Sequence, residues 1–155
     1  MLGYESERRL RNLLVAVGEG ERDLEAARTR LCAIPDFDLR GAFERLDRDA
    51  STTITSLEII NFLRDNGVHH VAEGEAFELV KFFDSDGNCR LTFNEFIQLL
   101  LPCEDMVLRN VTQDRLGRRI GRFDRLPRDI EVAMTAVLEK EIDLQRRLET
   151  LKRDL

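Results

Sequence analysis

Two twelve-residue stretches, starting 37 residues apart, constrain this chain more than any other feature. Residues 47–58 read Asp-Arg-Asp-Ala-Ser-Thr-Thr-Ile-Thr-Ser-Leu-Glu, and residues 84–95 read Asp-Ser-Asp-Gly-Asn-Cys-Arg-Leu-Thr-Phe-Asn-Glu. Both are acidic at positions 1, 3 and 12 and carry side-chain oxygens at positions 5 and 9. Apolar residues spaced by threes and fours flank each stretch, the period of a helix with one buried face. Leu39, Ala42, Phe43 and Leu46 lead into the first; Ile59, Phe62 and Leu63 follow it. Ala76, Leu79, Val80 and Phe83 lead into the second; Phe96, Leu99 and Leu100 follow it. A single acidic turn is a weak signal, but two in register between phased helical faces are a strong one. The pattern predicts an all-α chain with two helix–loop–helix units packed face to face over residues 36–102.

These stretches resemble the loops of the EF-hand superfamily, to which calmodulin and centrin belong. The resemblance implies calcium, a hard cation that takes six to eight oxygens at ~2.3–2.6 Å. In such loops the oxygens come from positions 1, 3 and 5, the position 7 carbonyl, position 9 through water, and a bidentate Glu at 12. Carried onto this chain, they are Asp47, Asp49, Ser51, Thr53, Thr55 and Glu58 in the first loop. In the second they are Asp84, Asp86, Asn88, Arg90, Thr92 and Glu95. Thr53 and Arg90 need only lend a backbone carbonyl. Ile54 and Leu91 hold position 8, where the family pairs a branched apolar residue across the two loops as a short strand.

Position 6 departs from the family, which has Gly there because the turn needs positive φ. This chain has Thr52 and Cys89. A non-Gly residue in the left-handed region costs roughly 1–2 kcal/mol, and a β-branched one fares worst. By that measure each loop binds about one order of magnitude more weakly. The second loop is expected to bind better, because Cys89 is not β-branched and Asn88 offers a stronger carbonyl ligand than the Ser51 hydroxyl.

Outside the repeat the chain reads as three further parts. Residues 1–35 form an N-terminal helix, spanning 4–34, with Leu10, Leu13, Val17, Leu24 and Leu31 on one face. Gly18 and Gly20 weaken it, each by ~1 kcal/mol relative to Ala, and Pro35 ends or kinks it. Residues 103–128 are an Arg-rich connector holding Arg115, Arg118, Arg119, Arg122, Arg125 and Arg128. The interleaved Asp114, Asp124 and Asp129 favour a solvated linker over a basic patch for an acidic partner. Residues 129–155 form an amphipathic helix that Asp129 caps or begins. Ile130, Met134, Val137, Glu141, Leu144, Leu148, Leu151 and Leu155 make a heptad seam with one charged interruption. That seam fits a coiled coil with a partner or a second copy, and equally a fold-back onto residues 10–31. Glu141 should then meet an Arg or Lys, such as Arg22 or Arg28, or lie at the edge of the contact.

Composition narrows the function. A net charge of −6 argues against nucleic acid as the main partner. No apolar run reaches the ~20 residues of a membrane span. The three cysteines, Cys32, Cys89 and Cys103, are too few and too scattered for a disulfide framework. With no visible secretory signal, the expectation is a cytoplasmic protein. Cys103 is expected to pack as a small apolar residue, Cys89 to be exposed, and His69-His70 to be an exposed linker pair rather than a zinc site. Nothing in the chain has the arrangement of a catalytic nucleophile and base. Two function classes remain. One is a calcium sensor or adaptor that takes a partner helix in an apolar groove. The other is a structural component, cytoskeletal or ciliary, whose hands bind calcium weakly or not at all.

Overall fold

The computed structural model describes residues 3–115 and 125–154, and all of its regular elements are helical. In chain order these are α1 (Tyr4–Cys32), α2 (Leu39–Leu46), α3 (Ser56–Asp65), α4 (Glu73–Phe83), α5 (Phe93–Leu100), α6 (Met106–Asp114) and α7 (Arg128–Asp154). The expected all-α class is borne out. Residues 47–55 join α2 to α3 and residues 84–92 join α4 to α5, so the two acidic stretches are the two loops.

The short helices start where a side chain satisfies an orphan N–H. Asp38 accepts from the Gly41 N–H at 2.7 Å at the head of α2. Thr55 and Thr92 cap α3 and α5, each accepting from the N–H of the glutamate three residues on at 3.3 Å. Glu58 and Glu95 return the bond, accepting from the threonine N–H at 3.0 and 2.9 Å. Each thus completes a capping box. The apolar faces read from the sequence point inward: Ala42, Leu79, Phe96, Leu99 and Leu100 are fully buried, and only Phe83 stays half-buried. Phe43 meets Phe93 and Phe96 edge-on, at centroid distances of 5.5 and 5.8 Å, and so joins the first unit to the second.

The long helices close on each other. Arg147 Nη1 donates to the Ala16 carbonyl at 2.5 Å, a Cβ on Gly20 would lie 3.3 Å from Leu144, and Arg28 reaches Glu141, so α1 and α7 run antiparallel. The seam is therefore used within the chain. Gly20 does not break α1; it lets α7 approach the helix backbone. Glu141 finds the partner it requires, its Oε2 accepting from Arg28 Nη2 at 3.1 Å. Arg28 also donates from Nε to the Leu99 carbonyl at 3.0 Å, tying α1 to α5 as well as to α7. The buried residues of α1, α7 and both helix–loop–helix units belong to one continuous core.

Three expectations need correction or limits. The connector is not wholly irregular: α6 forms within it, capped by Asp105. Cys103 is exposed rather than packed, because its N–H is turned to the Glu25 carboxylate; Cys32 is the buried thiol and Cys89 is exposed. Among the connector arginines, Arg115 donates to the Ile34 and Phe37 carbonyls, both at 3.0 Å, and Arg125 to the Asp65 carbonyl at 3.1 Å. Those two fasten backbone rather than serve a solvated linker. Arg118, Arg119 and Arg122, with Asp124 and Leu155, lie outside the described residues. His69 and His70 are exposed, with His70 Nε2 3.9 Å from a Glu139 oxygen.

Burial pushes the Glu141 carboxyl above its ordinary range, with Arg28 and Gln145 opposing it. Removing Arg28 leaves that carboxylate buried without its cation, so Arg28→Ala should destabilise the fold by about 3–5 kcal/mol in urea denaturation. A carboxyl whose folded pKa is raised takes up protons more readily folded than unfolded. The deficit of Arg28→Ala should therefore shrink as pH falls and Glu141 becomes neutral. Arg28→Ala combined with Glu141→Leu should regain much of the loss at neutral pH. A pH-independent deficit that Glu141→Leu does not relieve would show that Arg28 acts through packing alone.

Candidate metal centre

The two loops meet back to back through one antiparallel bridge. The Ile54 N–H donates to the Leu91 carbonyl and the Leu91 N–H to the Ile54 carbonyl, both at 2.8 Å, and both side chains are fully buried. With helices packed on either side of that bridge, the fold is EF-hand-like: two paired helix–loop–helix units flanked by two long helices. Arg90 adds a second link, its guanidinium donating to Thr53 Oγ1 at 3.2 Å.

Each loop gathers its carboxylates. One oxygen from each of Asp47, Asp49 and Glu58 lies within 4.8 Å of the others, and the same holds for Asp84, Asp86 and Glu95. In the first loop Asp47 Oδ1 accepts from the Ser51 N–H and hydroxyl at 3.1 and 3.2 Å, and Oδ2 from the Thr52 N–H at 3.0 Å. Asp49 accepts from the Ser51 N–H at 3.1 Å, and the Ser51 hydroxyl reaches the Thr53 carbonyl at 2.9 Å. Asp47, Asp49, Ser51 and Thr53 are thus held in one turn, and Glu58 reaches Asp47 and Asp49 from the first turn of α3. In the second loop Asp84 accepts from the Asp86 and Gly87 N–H groups at 3.2 Å and from the Cys89 N–H at 2.6 Å. Asp86 accepts from the Asn88 N–H at 3.2 Å, and Asn88 Oδ1 from the Arg90 N–H at 3.0 Å. Thr55 and Thr92, at position 9, spend their hydroxyls on helix caps.

The position 12 glutamates have two duties. Besides its capping bond, Glu58 accepts from the Arg48 N–H at 3.0 Å, and Glu95 accepts from the Ser85 N–H at 2.6 Å. Each therefore spans from the start of its loop to the head of the following helix. Their surroundings differ. Burial pushes the Glu58 carboxyl above its ordinary range, and Asp49 and Asp47 push the same way. Burial acts upward on Glu95 too, but hydrogen bonds from Ser85 and Thr92 outweigh it and hold its carboxyl below the ordinary range. Asp47 is only 1% exposed, whereas Asp84 is half-buried and residues 85–90 of the second loop are exposed.

Backbone geometry at position 6 is as the sequence requires: φ is 67° at Thr52 and 61° at Cys89. Position 4 holds a left-handed residue as well, Gly87 at 77° in the second loop but Ala50 at 57° in the first. Ala50 was not visible as a problem from the ligand pattern, since the familiar glycine rule concerns position 6. Two further features had sequence signals of different strength. The capping boxes follow from Thr-x-x-Glu at 55–58 and 92–95, while the bonds from Arg48 and Ser85 to the glutamates have no local signature. All the donors are hard oxygens gathered around carboxylates, a set that fits Ca²⁺ or Mg²⁺ and not a soft ion.

Comparisons with known proteins agree with this geometry without fixing a family. The chain is 29% identical over 110 residues to secretagogin of Mus musculus, and equally to secretagogin of Rattus norvegicus. The match covers 65% of this chain and 40% of secretagogin, so the chain spans well under half the length of these relatives. No family model matches the chain, and no solved structure matches it significantly.

The strained turn makes its own prediction. A non-Gly left-handed residue costs roughly 1–2 kcal/mol, and Gly gives back about 0.5–1 kcal/mol through unfolded-state entropy. Thr52→Gly, with the β-branched side chain removed, should therefore raise stability by about 1 kcal/mol, a Tm gain of roughly 2–4 °C. A lower Tm would mean that the first loop tolerates Thr52 without strain.

Proposed function

We propose that this chain is a non-catalytic calcium-binding EF-hand protein of a reducing, cytoplasmic compartment, acting as a sensor or adaptor for a protein partner. The observation that carries the reading is the pair of three-carboxylate clusters held back to back by the Ile54–Leu91 bridge. Bound in the loops, calcium would supply the positive charge that offsets the repulsion among those carboxylates. Asp47, Asp49, Ser51, the Thr53 carbonyl and Glu58 would hold it in the first loop. Asp84, Asp86, Asn88, the Arg90 carbonyl and Glu95 would hold it in the second. The second loop is the tighter site in this reading, having Gly87 at position 4 and an ionised Glu95 favoured by its hydrogen bonds. The partner is an amphipathic helix laid against the apolar faces of the hands. Among the described residues no helix is long and apolar enough to cross a membrane.

A second reading has its own support. Ala50, Thr52 and Cys89 all lie in the left-handed region, which weakens ion binding relative to glycine-bearing loops. In that reading the hands bind calcium weakly and serve as a docking module in a cytoskeletal or ciliary assembly. Calorimetric titration with calcium, with and without magnesium, separates the two. A sensor should bind at least one ion at micromolar calcium; the scaffold should bind only at millimolar levels. Glu95→Gln should weaken the tighter site by about ten- to a hundredfold, the loss of a charge-assisted partner, whereas Glu58→Gln should spare it. The reverse order would make the buried first loop the principal site.

A further inference from the structure

The contacts of α7 do not stop at α1. Its buried residues, Ile130, Met134, Val137, Leu138 and Ile142, share a core with the inner faces of the hands, and α7 packs on α4 and α5. At its first turn lies a second buried charge. Glu131 is 3% exposed; its Oε1 accepts from Arg45 Nε at 3.0 Å, and its Oε2 has no hydrogen-bond partner among the described residues. Arg45 stands in the last turn of α2, two residues before Asp47, stacked over the Phe62 ring at 5.0 Å. Its Nη2 donates to Asp65 at 3.1 Å, and Asp65 is the last residue of α3. Arg48 in the first loop pairs with the same carboxylate, and Arg125 holds the Asp65 carbonyl.

One guanidinium therefore joins the end of α2, the end of α3 and the start of α7. The relative placement of α2 and α3 is what changes when a hand responds to its ion. We propose that α7 is a resident occupant of the paired hands, and that the Arg45–Glu131–Asp65 clamp couples its docking to ion binding in the first loop. The proposal rests on the calcium reading above. A rearrangement of α2 against α3 cannot leave all the Arg45 bonds in place, so it loosens α7; a loosened α7 in turn favours the rearrangement. Such coupling is reciprocal by linkage. The unpartnered Glu131 Oε2 matters here, because an unsatisfied buried carboxylate oxygen disfavours the docked arrangement and keeps the clamp close to balance. An incoming partner helix would compete with α7 for the same apolar faces.

The test uses the full chain with the second loop disabled by Asp84→Ala and Glu95→Gln together, so that the first loop is read alone, with Glu131→Gln as the probe. Weakening the clamp from the α7 side should tighten calcium binding in the first loop about fivefold or more, the lower end of ordinary coupling. Calcium should also speed hydrogen exchange across residues 128–142. Asp65→Asn, at a half-buried site, should shift affinity in the same direction should the buried variant fold poorly. Binding by the parent that neither substitution alters, or residues 128–142 staying equally protected with calcium, overturns the clamp and leaves calcium binding standing. No binding at millimolar calcium in parent or variants overturns both. Binding seen only after the clamp is weakened supports it.

Discussion

Between Ile54 and Leu91 two backbone hydrogen bonds, each of 2.8 Å, cross from one loop to the other beneath two fully buried side chains. A slip of one residue would turn Thr53 and Arg90, or Thr55 and Thr92, toward the core, because successive side chains on an extended segment face opposite ways. An inward Arg90 would bury a charge; in the observed register its guanidinium lies outside and reaches Thr53. Fixing this register gathers the carboxylates of each loop around one turn and starts α3 and α5 at matching places. The capping boxes of Thr55 and Thr92 then follow, as does the single core that the long helices cover. A single bridge decides so much because α3 and α5 each start two residues after it.

The outer layer depends on charges placed where apolar residues would be expected. More than a third of this chain is charged, yet only a few such side chains are buried, and several of these stand at contacts of α7. An uninterrupted leucine seam would accept many partners and registers. Glu141 restricts α7 to a position where a cation awaits it, and Arg28 supplies one while also holding the Leu99 carbonyl. A buried pair of this kind contributes little net stability over an apolar pair, so its effect is on which contact forms. Gly20 adds a steric condition, giving the close approach at Leu144 that a larger residue would obstruct.

The two helix–loop–helix units were legible because both their signals are local and periodic: oxygen-bearing residues at fixed offsets, and apolar faces every three or four residues. The need of Glu141 for a cation was legible for the same reason, since one acidic residue interrupts a regular stripe. Whether that cation belonged to the same chain was not, because a stripe on α1 satisfies an internal contact and a second copy equally well. α6 escaped notice for want of a clean face: Met106, Val107 and Val111 are exposed, and Thr112 is its buried residue. The Arg45–Glu131 contact spans 86 residues and leaves no local trace. Cys103 was misjudged because the apolar run before it continues to Leu101, while its own N–H is held outward by Glu25.

The loops share a pattern but not an environment, and the difference bears on how one domain could both bind an ion and report it. Asp47 and Glu58 are buried and woven into the fold: Asp47 at the end of α2, Glu58 bonded to Arg48 and to the head of α3. Burial disfavours the ionised Glu58 and adds to the strain of Ala50 and Thr52. Asp84 and Glu95 are only half-buried, Asp86 between them is exposed to water, and Gly87 takes one left-handed position without penalty. On energetic grounds the second loop is the better trap for a cation. On structural grounds the first has more to transmit, because it alone lies beside Arg45 and hence beside α7. The Ile54–Leu91 bridge is the backbone the two loops share. The more exposed second loop and the first loop beside Arg45 are thus neighbours joined by two hydrogen bonds.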